Sequence, residues 1–167
     1  MIPLTLNIEL QQRVAAAVTH REAALDVLKE LQRHYGWLTD QAVMEAADIL
    51  ELSPLQVEEL ATFYEMIYRR PVGKKVIHVC DSISCWSTCC EKIMAHLQMR
   101  LGVSLGGTSA DGTFTLIPCC CMGMCGDGPV MSVGSNFYLN LTPERVDEIL
   151  EMERRAVSQT VLVSASM

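Results

Sequence analysis

The sequence predicts an α+β protein in which an N-terminal helical bundle precedes a small α/β domain with a four-stranded sheet. Three observations support this prediction. Apolar residues recur at helical spacing up to about residue 71, and short strand-like runs bounded by glycine turns follow. Two cysteine pairs, Cys80 with Cys85 and Cys121 with Cys125, come after such runs. The expected divisions are a bundle over 1–71, an α/β domain over 72–155 and a tail over 156–167.

The composition excludes several classes of function and favours one. Half of the 167 residues are apolar, which is enough for an ordinary core. The net charge of -7, without a dense Lys/Arg run, argues against a nucleic-acid partner. The sequence contains neither an apolar run long enough to span a bilayer nor a secretory signal, so we expect a cytoplasmic protein without direct membrane insertion. Eight cysteines in such a chain indicate metal or redox chemistry.

The N-terminal part has the signals of four successive amphipathic helices. Its predicted starts and stops are a Thr19–Glu22 capping box, a stop at Gly36, a cap at Thr39, and a Ser53–Gln56 capping box with Pro54 in its first turn. The segment 69–75 then breaks the helical pattern, and it marks the predicted boundary between the two domains.

The C-terminal part reads as strand, helix, strand, strand, strand and helix. The predicted elements are a strand at 76–79, a helix from a Thr88–Glu91 capping box to about Arg100, a strand at 113–116, a hairpin of 129–133 and 136–139 around Gly134-Ser135, and a helix that begins at Pro143. From Glu153 to Met167 no strong pattern is seen, and a frayed tail is expected. This element order is that of a thioredoxin-like fold.

Both cysteine pairs are predicted to lie in loops after strands, where four thiols could converge on one centre. Backbone N–H groups in these loops would face a buried anion, and loop glycines would allow close approach and positive φ angles. We therefore interpret the four sulfurs as the ligands of a two-iron iron–sulfur cluster that relays single electrons. Residues expected to surround the cluster are Ser82, Ser84, Trp86, Gly123 and Gly126. Access of water would be limited by Met122, Met124, Ile83 and Trp86.

Other metal and redox sites fit the spacing less well. Structural zinc sites are usually built from Cys-x2-Cys knuckles, and neither gap here is of two residues, although a zinc-stabilised interaction module stays an alternative. The same absence disfavours a thioredoxin-type disulfide enzyme. A Rieske centre needs two histidines among its ligands, and only His78 is near a cysteine. The spacing also differs from that of plant-type ferredoxins.

Several blocks of sequence resemble one family in order. They are 79–85 (VCDSISC), 111–116 (DGTFTL), 121–126 (CMGMCG), 128–131 (GPVM), 57–64 (VEELATFY) and 141–144 (LTPE). Together they resemble the NuoE-type [2Fe-2S] subunits of respiratory complex I, NADH:quinone oxidoreductase, over roughly 25–151. The family has a helical bundle followed by a thioredoxin-like domain, as the residue patterns also predict.

The resemblance implies a function for the site. It places the family's four ligands on Cys80, Cys85, Cys121 and Cys125, holding a 2Fe-2S cluster, with no catalytic residue in the chain itself. It implies two partners: a flavoprotein subunit that binds FMN and oxidises NADH, and a larger iron–sulfur subunit. The complex would hold the chain peripherally on the cytoplasmic side of the inner membrane. The equivalent subunit of an NAD-linked formate dehydrogenase or soluble hydrogenase is the nearest alternative.

Four cysteines are in excess of this ligand set. Within the run 119–121, only Cys121 has the family's three-residue gap to Cys125, so the resemblance implies that Cys119 and Cys120 are not ligands. Cys89 and Cys90 are expected to be buried as small hydrophobic residues of a helix.

Overall fold

The computed structural model describes residues 2–164, with side chains up to residue 159. The chain divides into two compact units, Met1–Pro71 and Val72–Met167. None of the described helices is both long enough and apolar enough to cross a lipid bilayer.

The described part of the first unit contains four helices, whose bounds follow closely from local signals. They are α1 (Leu4–Ala16), α2 (His20–Tyr35), α3 (Asp40–Leu50) and α4 (Pro54–Phe63). Gly36 ends α2 in the left-handed conformation, at φ 84°. Apolar side chains from all four helices form one core, in which Leu10, Leu28, Leu31, Leu50 and Val57 are fully buried.

The helix caps agree with the sequence at two starts and differ at one. Thr39 accepts a hydrogen bond from the Ala42 amide, and Ser53 forms the complete reciprocal box with Gln56. At α2, Thr19 accepts from the Glu22 amide, but the Glu22 carboxylate accepts from the Val18 amide instead of that of Thr19. The predicted box is therefore only half formed, because the carboxylate reaches one residue further back along the chain.

The second unit is a four-stranded mixed sheet with helices packed on it. Its elements are β1 (Lys75–Cys80), α5 (Ile83–Ser87), α6 (Cys90–Leu101), β2 (Phe114–Cys119), β3 (Met131–Val133), β4 (Asn136–Tyr138) and α7 (Pro143–Ser164). The strand order is β2-β1-β3-β4. β1 runs parallel to β2, while β3 is antiparallel to both β1 and β4. The predicted α+β class, thioredoxin-like domain and four-stranded sheet are confirmed.

Alternation along the strands places one apolar face of the sheet against α6 and α7. Ile77 and Val79 of β1 share a buried core with Leu97 of α6 and Val146 of α7. Each such side chain contributes about 1.5–3 kcal/mol when fully buried. This packing fixes β1, an interior strand, as the rigid support for the cysteine that ends it.

Three local predictions in this unit are wrong. Thr88 does not cap α6: the residue before that helix is Cys89, which makes no side-chain cap, and the Thr88 hydroxyl donates backward to carbonyl groups of α5. The segment 83–87 was expected to be part of a loop, but it forms the short helix α5, which has no sequence signal of its own. The segment that begins at Glu153 was expected to be a frayed tail, but it is helical up to Ser164, the last residue of α7. Residues 165–167 lie outside the described part of the chain.

Candidate metal centre

The first thiol is held at the end of an interior strand. Cys80 is the last residue of β1 and is only 2% exposed. Its amide donates to the Val130 carbonyl at 3.1 Å, and the next amide, of Asp81, donates to the Cys119 carbonyl at 3.1 Å. The backbone around Cys80 is thus bonded to the neighbouring chain segments on both sides, which fixes the position from which its side chain projects.

The second thiol lies on a helix, in contrast to the predicted loop. Ser82 precedes α5 in an extended conformation, and the Trp86 amide donates to its carbonyl at 2.8 Å, which closes a helical turn around Cys85. Cys85 is on the inner side and is 2% exposed, whereas Ile83 and Trp86 are 75% and 55% exposed. The prediction failed because five residues are too few to show helical periodicity.

The second cysteine pair lies in a loop after β2, as predicted. Strand β2 ends at Cys119, three residues later than expected, and Cys125 begins a 3-10 turn over Cys125–Asp127. The two sulfurs of Cys121 and Cys125 are 3.3 Å apart, and both residues are exposed. The Gly123 amide donates to the Cys121 sulfur at 3.3 Å, and Gly123 has φ 85°, a conformation that favours glycine.

All four thiols line one small cavity. The cavity is lined by Cys80, Ser82, Ser84, Cys85, Cys121, Met122, Met124, Cys125 and Val130. Ser82, Ser84 and the two methionines therefore lie where the sequence patterns predict them. Trp86 and Ile83 are outside this lining and mostly exposed.

The loop glycines differ in what they do. Of Gly123, Gly126 and Gly128, only Gly123 has the positive φ that the sequence predicts for glycines of this loop. Gly126 has no such φ and has open space around its α-carbon, so nothing in the described structure requires a glycine there. Gly128 does provide close approach, to the turn that carries Cys85.

The other four cysteines do not line the cavity. Cys90 is fully buried on α6, as expected, and Cys119 is buried in β2. Cys120 is exposed, and so is Cys89, in contrast to the prediction. Cys89 has φ 66° and precedes the first turn of α6, so its side chain does not join the buried face of that helix.

Burial keeps the Cys85 thiol protonated while no metal is bound. The pKa of Cys85 is raised to about 11, mainly by burial and then by its hydrogen bond with Cys80, whereas a backbone hydrogen bond from Val130 lowers it. Metal binding therefore has to displace a proton from Cys85. The Val130 backbone favours the thiolate that a bound metal would require.

The four sulfurs are arranged as two pairs. Cys80 and Cys85 are hydrogen-bonded to each other, and Cys121 and Cys125 are in contact. In the described residues, no three His, Cys, Asp or Glu side chains are grouped around a single point in a way that would hold one ion. Two thiol pairs facing one cavity fit a two-iron cluster with four cysteine ligands, in which each iron takes two of them.

A thioredoxin-like sheet that directs two thiol pairs into one cavity defines a class of iron–sulfur ferredoxin. Residues 10–154 match the model of the thioredoxin-like [2Fe-2S] ferredoxin family, and the chain belongs to that family. Its cofactor is accordingly a [2Fe-2S] cluster. The family resemblance of the sequence blocks is thereby confirmed.

Two relatives from different bacteria carry the same name. The E subunit of the NADH-quinone oxidoreductase of Salmonella typhimurium is 40% identical over 157 residues, which cover 89% of this chain and 95% of that protein. Its counterpart of the same name in Buchnera aphidicola subsp. Baizongia pistaciae is 40% identical over 133 residues, covering 80% and 78%. Among solved structures, an NAD+-reducing [NiFe]-hydrogenase has the same fold, with a TM-score of 0.65 at 21% identity, over 78% of this chain and 23% of that chain.

Sequence reasoning missed the residues that act through their backbone. The Val130 carbonyl accepts from the Cys80 amide, and its backbone also hydrogen-bonds Cys85. No spacing rule identifies such a residue, since any amino acid other than proline could supply the same donor.

Proposed function

We propose that this chain is the [2Fe-2S] electron-transfer subunit of an NADH-quinone oxidoreductase. The observation that carries the proposal is the 40% identity to the Salmonella typhimurium protein across 89% of this chain and 95% of that protein. The four-thiol cavity lies inside the matched residues and supplies the chemistry that such a protein needs.

Cys80, Cys85, Cys121 and Cys125 are the proposed ligands of the cluster. Support comes from the cavity, which these four line and the other four cysteines do not. When bound, a cluster of this kind takes up and releases one electron at a time. Amide donors to the ligand sulfurs, such as that of Gly123, favour added negative charge and so adjust the reduction potential.

The remaining side chains control access to the cavity. Met122, Met124 and Val130 form an apolar wall that limits water. The cavity is closed on the side of Cys80 and Cys85 and open on the side of Cys121 and Cys125, whose side chains are exposed. The exposed side is therefore the short route for an electron to a partner.

The proposed partners are the flavoprotein that binds FMN and NADH and the larger iron–sulfur subunit of the same complex. In this arrangement the chain exchanges single electrons with the flavin and has no substrate site of its own, which agrees with the absence of a dinucleotide-binding glycine pattern in its sequence. The proposed location is peripheral, on the cytoplasmic side of the membrane that holds the complex.

The second candidate is the equivalent subunit of a soluble NAD-linked hydrogenase or formate dehydrogenase. The observation that favours it is the shared fold with an NAD+-reducing [NiFe]-hydrogenase, although 21% identity establishes the fold alone. The two candidates predict different neighbours for the same electron carrier.

Affinity purification of the tagged chain from its native host tests the proposal. We expect mass spectrometry to find an FMN-binding subunit, a larger iron–sulfur subunit and membrane-embedded subunits of an NADH-quinone oxidoreductase. A complex with a hydrogen-activating or formate-activating subunit, and without membrane-embedded subunits, would contradict it and support the second candidate.

A further inference from the structure

A close contact joins the two halves of the cysteine cavity. Gly128 follows the 3-10 turn that begins at Cys125, and it lies against the end of α5, which carries Cys85. A Cβ atom on residue 128 would lie 2.6 Å from the Thr88 hydroxyl oxygen, nearer than non-bonded atoms approach. It would also touch the α-carbon and the sulfur of Cys85, each at 3.5 Å.

The need for glycine at this position is steric. Gly128 has φ -67° and ψ 157°, which any residue before a proline adopts readily. An alanine would therefore meet no backbone strain of its own. What excludes a side chain is the space already filled by Thr88.

Thr88 is exposed to solvent, but two hydrogen bonds restrain its hydroxyl. It is the C-cap residue of α5, and its hydroxyl donates to the Cys85 carbonyl at 3.0 Å and to the Ser84 carbonyl at 3.3 Å. Rotating the hydroxyl away would break both bonds and leave the Cys85 carbonyl with the Thr88 amide and the Ser84 carbonyl with the Ser87 hydroxyl. Thr is also stiff at χ1, so small adjustments are limited.

The chain from Gly128 leads directly to the groups that hold the inner thiols. Val130, two residues later, accepts from the Cys80 amide and hydrogen-bonds Cys85 through its backbone. On the other side, the Asn140 amide donates to the Asp127 carbonyl at 2.8 Å, and the Leu141 amide donates to the Pro129 carbonyl at 3.2 Å. The bonds from Asn140 and Leu141 hold this segment on its other side. A displacement of residue 128 therefore disturbs the hydrogen bonds that Val130 makes with Cys80 and Cys85.

We propose that Thr88 and Gly128 are positioning residues whose contact sets the distance between the Cys80–Cys85 pair and the Cys121–Cys125 pair. This inference rests on the proposed cluster ligands. It predicts that a single methyl group at residue 128 loosens the bound cluster without removing any ligand.

The test uses Gly128→Ala in the full chain, with Gly126→Ala as the matched control, because residue 126 has open space. Each protein is loaded with iron and sulfide anaerobically, and the rate of iron transfer to a chelator is followed optically. We expect release about tenfold faster from Gly128→Ala, in the range typical of groups that support metal ligands. Gly126→Ala should match the wild type. Equal release from both variants would overturn the proposal.

A double-mutant cycle separates this contact from a general effect of the mutation. In the Thr88→Ala background the added methyl group has space, so Gly128→Ala should then change the release rate by less than about twofold. A tenfold change in both backgrounds would contradict a role of Thr88. If Gly128→Ala alone does not fold, a folded and loaded double variant supports the contact, and an unfolded one overturns it.

The same experiment distinguishes failure of this inference from failure of the proposed ligands. A wild-type chain that takes up no iron and sulfide would contradict the cluster itself. A loaded wild-type chain with an unaffected Gly128→Ala variant would contradict only the positioning role.

Discussion

Neighbouring cysteines in the run 119–121 have different surroundings. Cys119 ends β2, pairs with Cys80 in the parallel ladder, and has its carbonyl bonded to the Asp81 amide. Cys120 is exposed and outside the cavity, whereas Cys121 lines the cavity and contacts Cys125. The end of β2 therefore decides which cysteine of this run can be a ligand, since the chain can turn toward the cavity only beyond Cys119.

The first prediction concerns this run. Cys119→Ser and Cys120→Ser should keep the cluster, because neither sulfur lines the cavity, while Cys121→Ser should lower the iron content to below about half of the wild-type value for lack of a fourth thiolate. Iron and sulfide analysis and the EPR signal of the reduced protein provide the measurement. Loss of the signal in Cys119→Ser or Cys120→Ser would disprove the ligand choice.

At the scale of residues, the sequence predicted side chains better than backbone groups. The four thiols and the adjacent serines and methionines follow from their positions after strand-like runs. The donors of Val130 and Gly123, and the exposure of Cys89, depend on backbone conformation across segments far apart in sequence. No residue type encodes these features, so they emerge only from the folded chain.

At the scale of elements, α7 is attached to the sheet by a buried carboxylate. Glu153 is 3% exposed and accepts from the Tyr138 hydroxyl at 2.6 Å and from the Asn136 amide at 2.9 Å. Lys75 of β1 lies 3.3 Å away. One helix residue thus joins β4, β1 and α7, and it lies within the segment that the sequence pattern assigned to a tail.

The second prediction is a loss of stability on removing this charge. Glu153→Gln should lower the free energy of unfolding by about 1–3 kcal/mol, because it weakens charge-assisted bonds to buried donors. Urea unfolding followed by circular dichroism measures the change. Glu151→Gln, at an exposed position on the same helix, is the matched control and should be nearly neutral. Equal effects of the two substitutions would contradict the attachment.

The third prediction is the pH dependence of that loss. Burial alone would raise the pKa of Glu153, but hydrogen bonds from Tyr138 and Asn136 and the nearby Lys75 lower it below its ordinary value of 4.5. A carboxylate with a lowered pKa stabilises the fold above the unfolded-state pKa and loses that contribution as the pH falls. The stability difference between wild type and Glu153→Gln should therefore shrink below about pH 4.5. A constant difference from pH 6 to pH 3 would refute this assignment.

Elements were predictable where the signals were local. Ser53 with Gln56, Thr39 and Gly36 act within one helical turn of themselves, and the structure has the corresponding caps and stop. The short helix α5 was missed, and the last helix α7, although its start at Pro143 was predicted, extends further than expected. Five residues show no periodicity, and the attachment of α7 through Glu153 depends on strands that lie far away in sequence.

At the scale of the whole molecule, the order of strands and helices along the chain determines how the sheet is arranged. The strand order β2-β1-β3-β4 places the parallel pair β1 and β2 side by side. Both of these strands end in cysteine, at Cys80 and Cys119, and the two thiol-bearing segments continue from the same edge of the sheet. This arrangement follows from the crossover between two parallel strands, which the sequence order already required.

The central claim is that this chain is a one-electron carrier with a single [2Fe-2S] cluster. An EPR-monitored redox titration of the anaerobically purified protein, combined with metal and sulfide analysis, tests it most directly. We predict about two irons and two acid-labile sulfides per chain, and one signal that appears on uptake of a single electron. One zinc per chain without iron or sulfide would contradict the account and identify a zinc-stabilised interaction module instead.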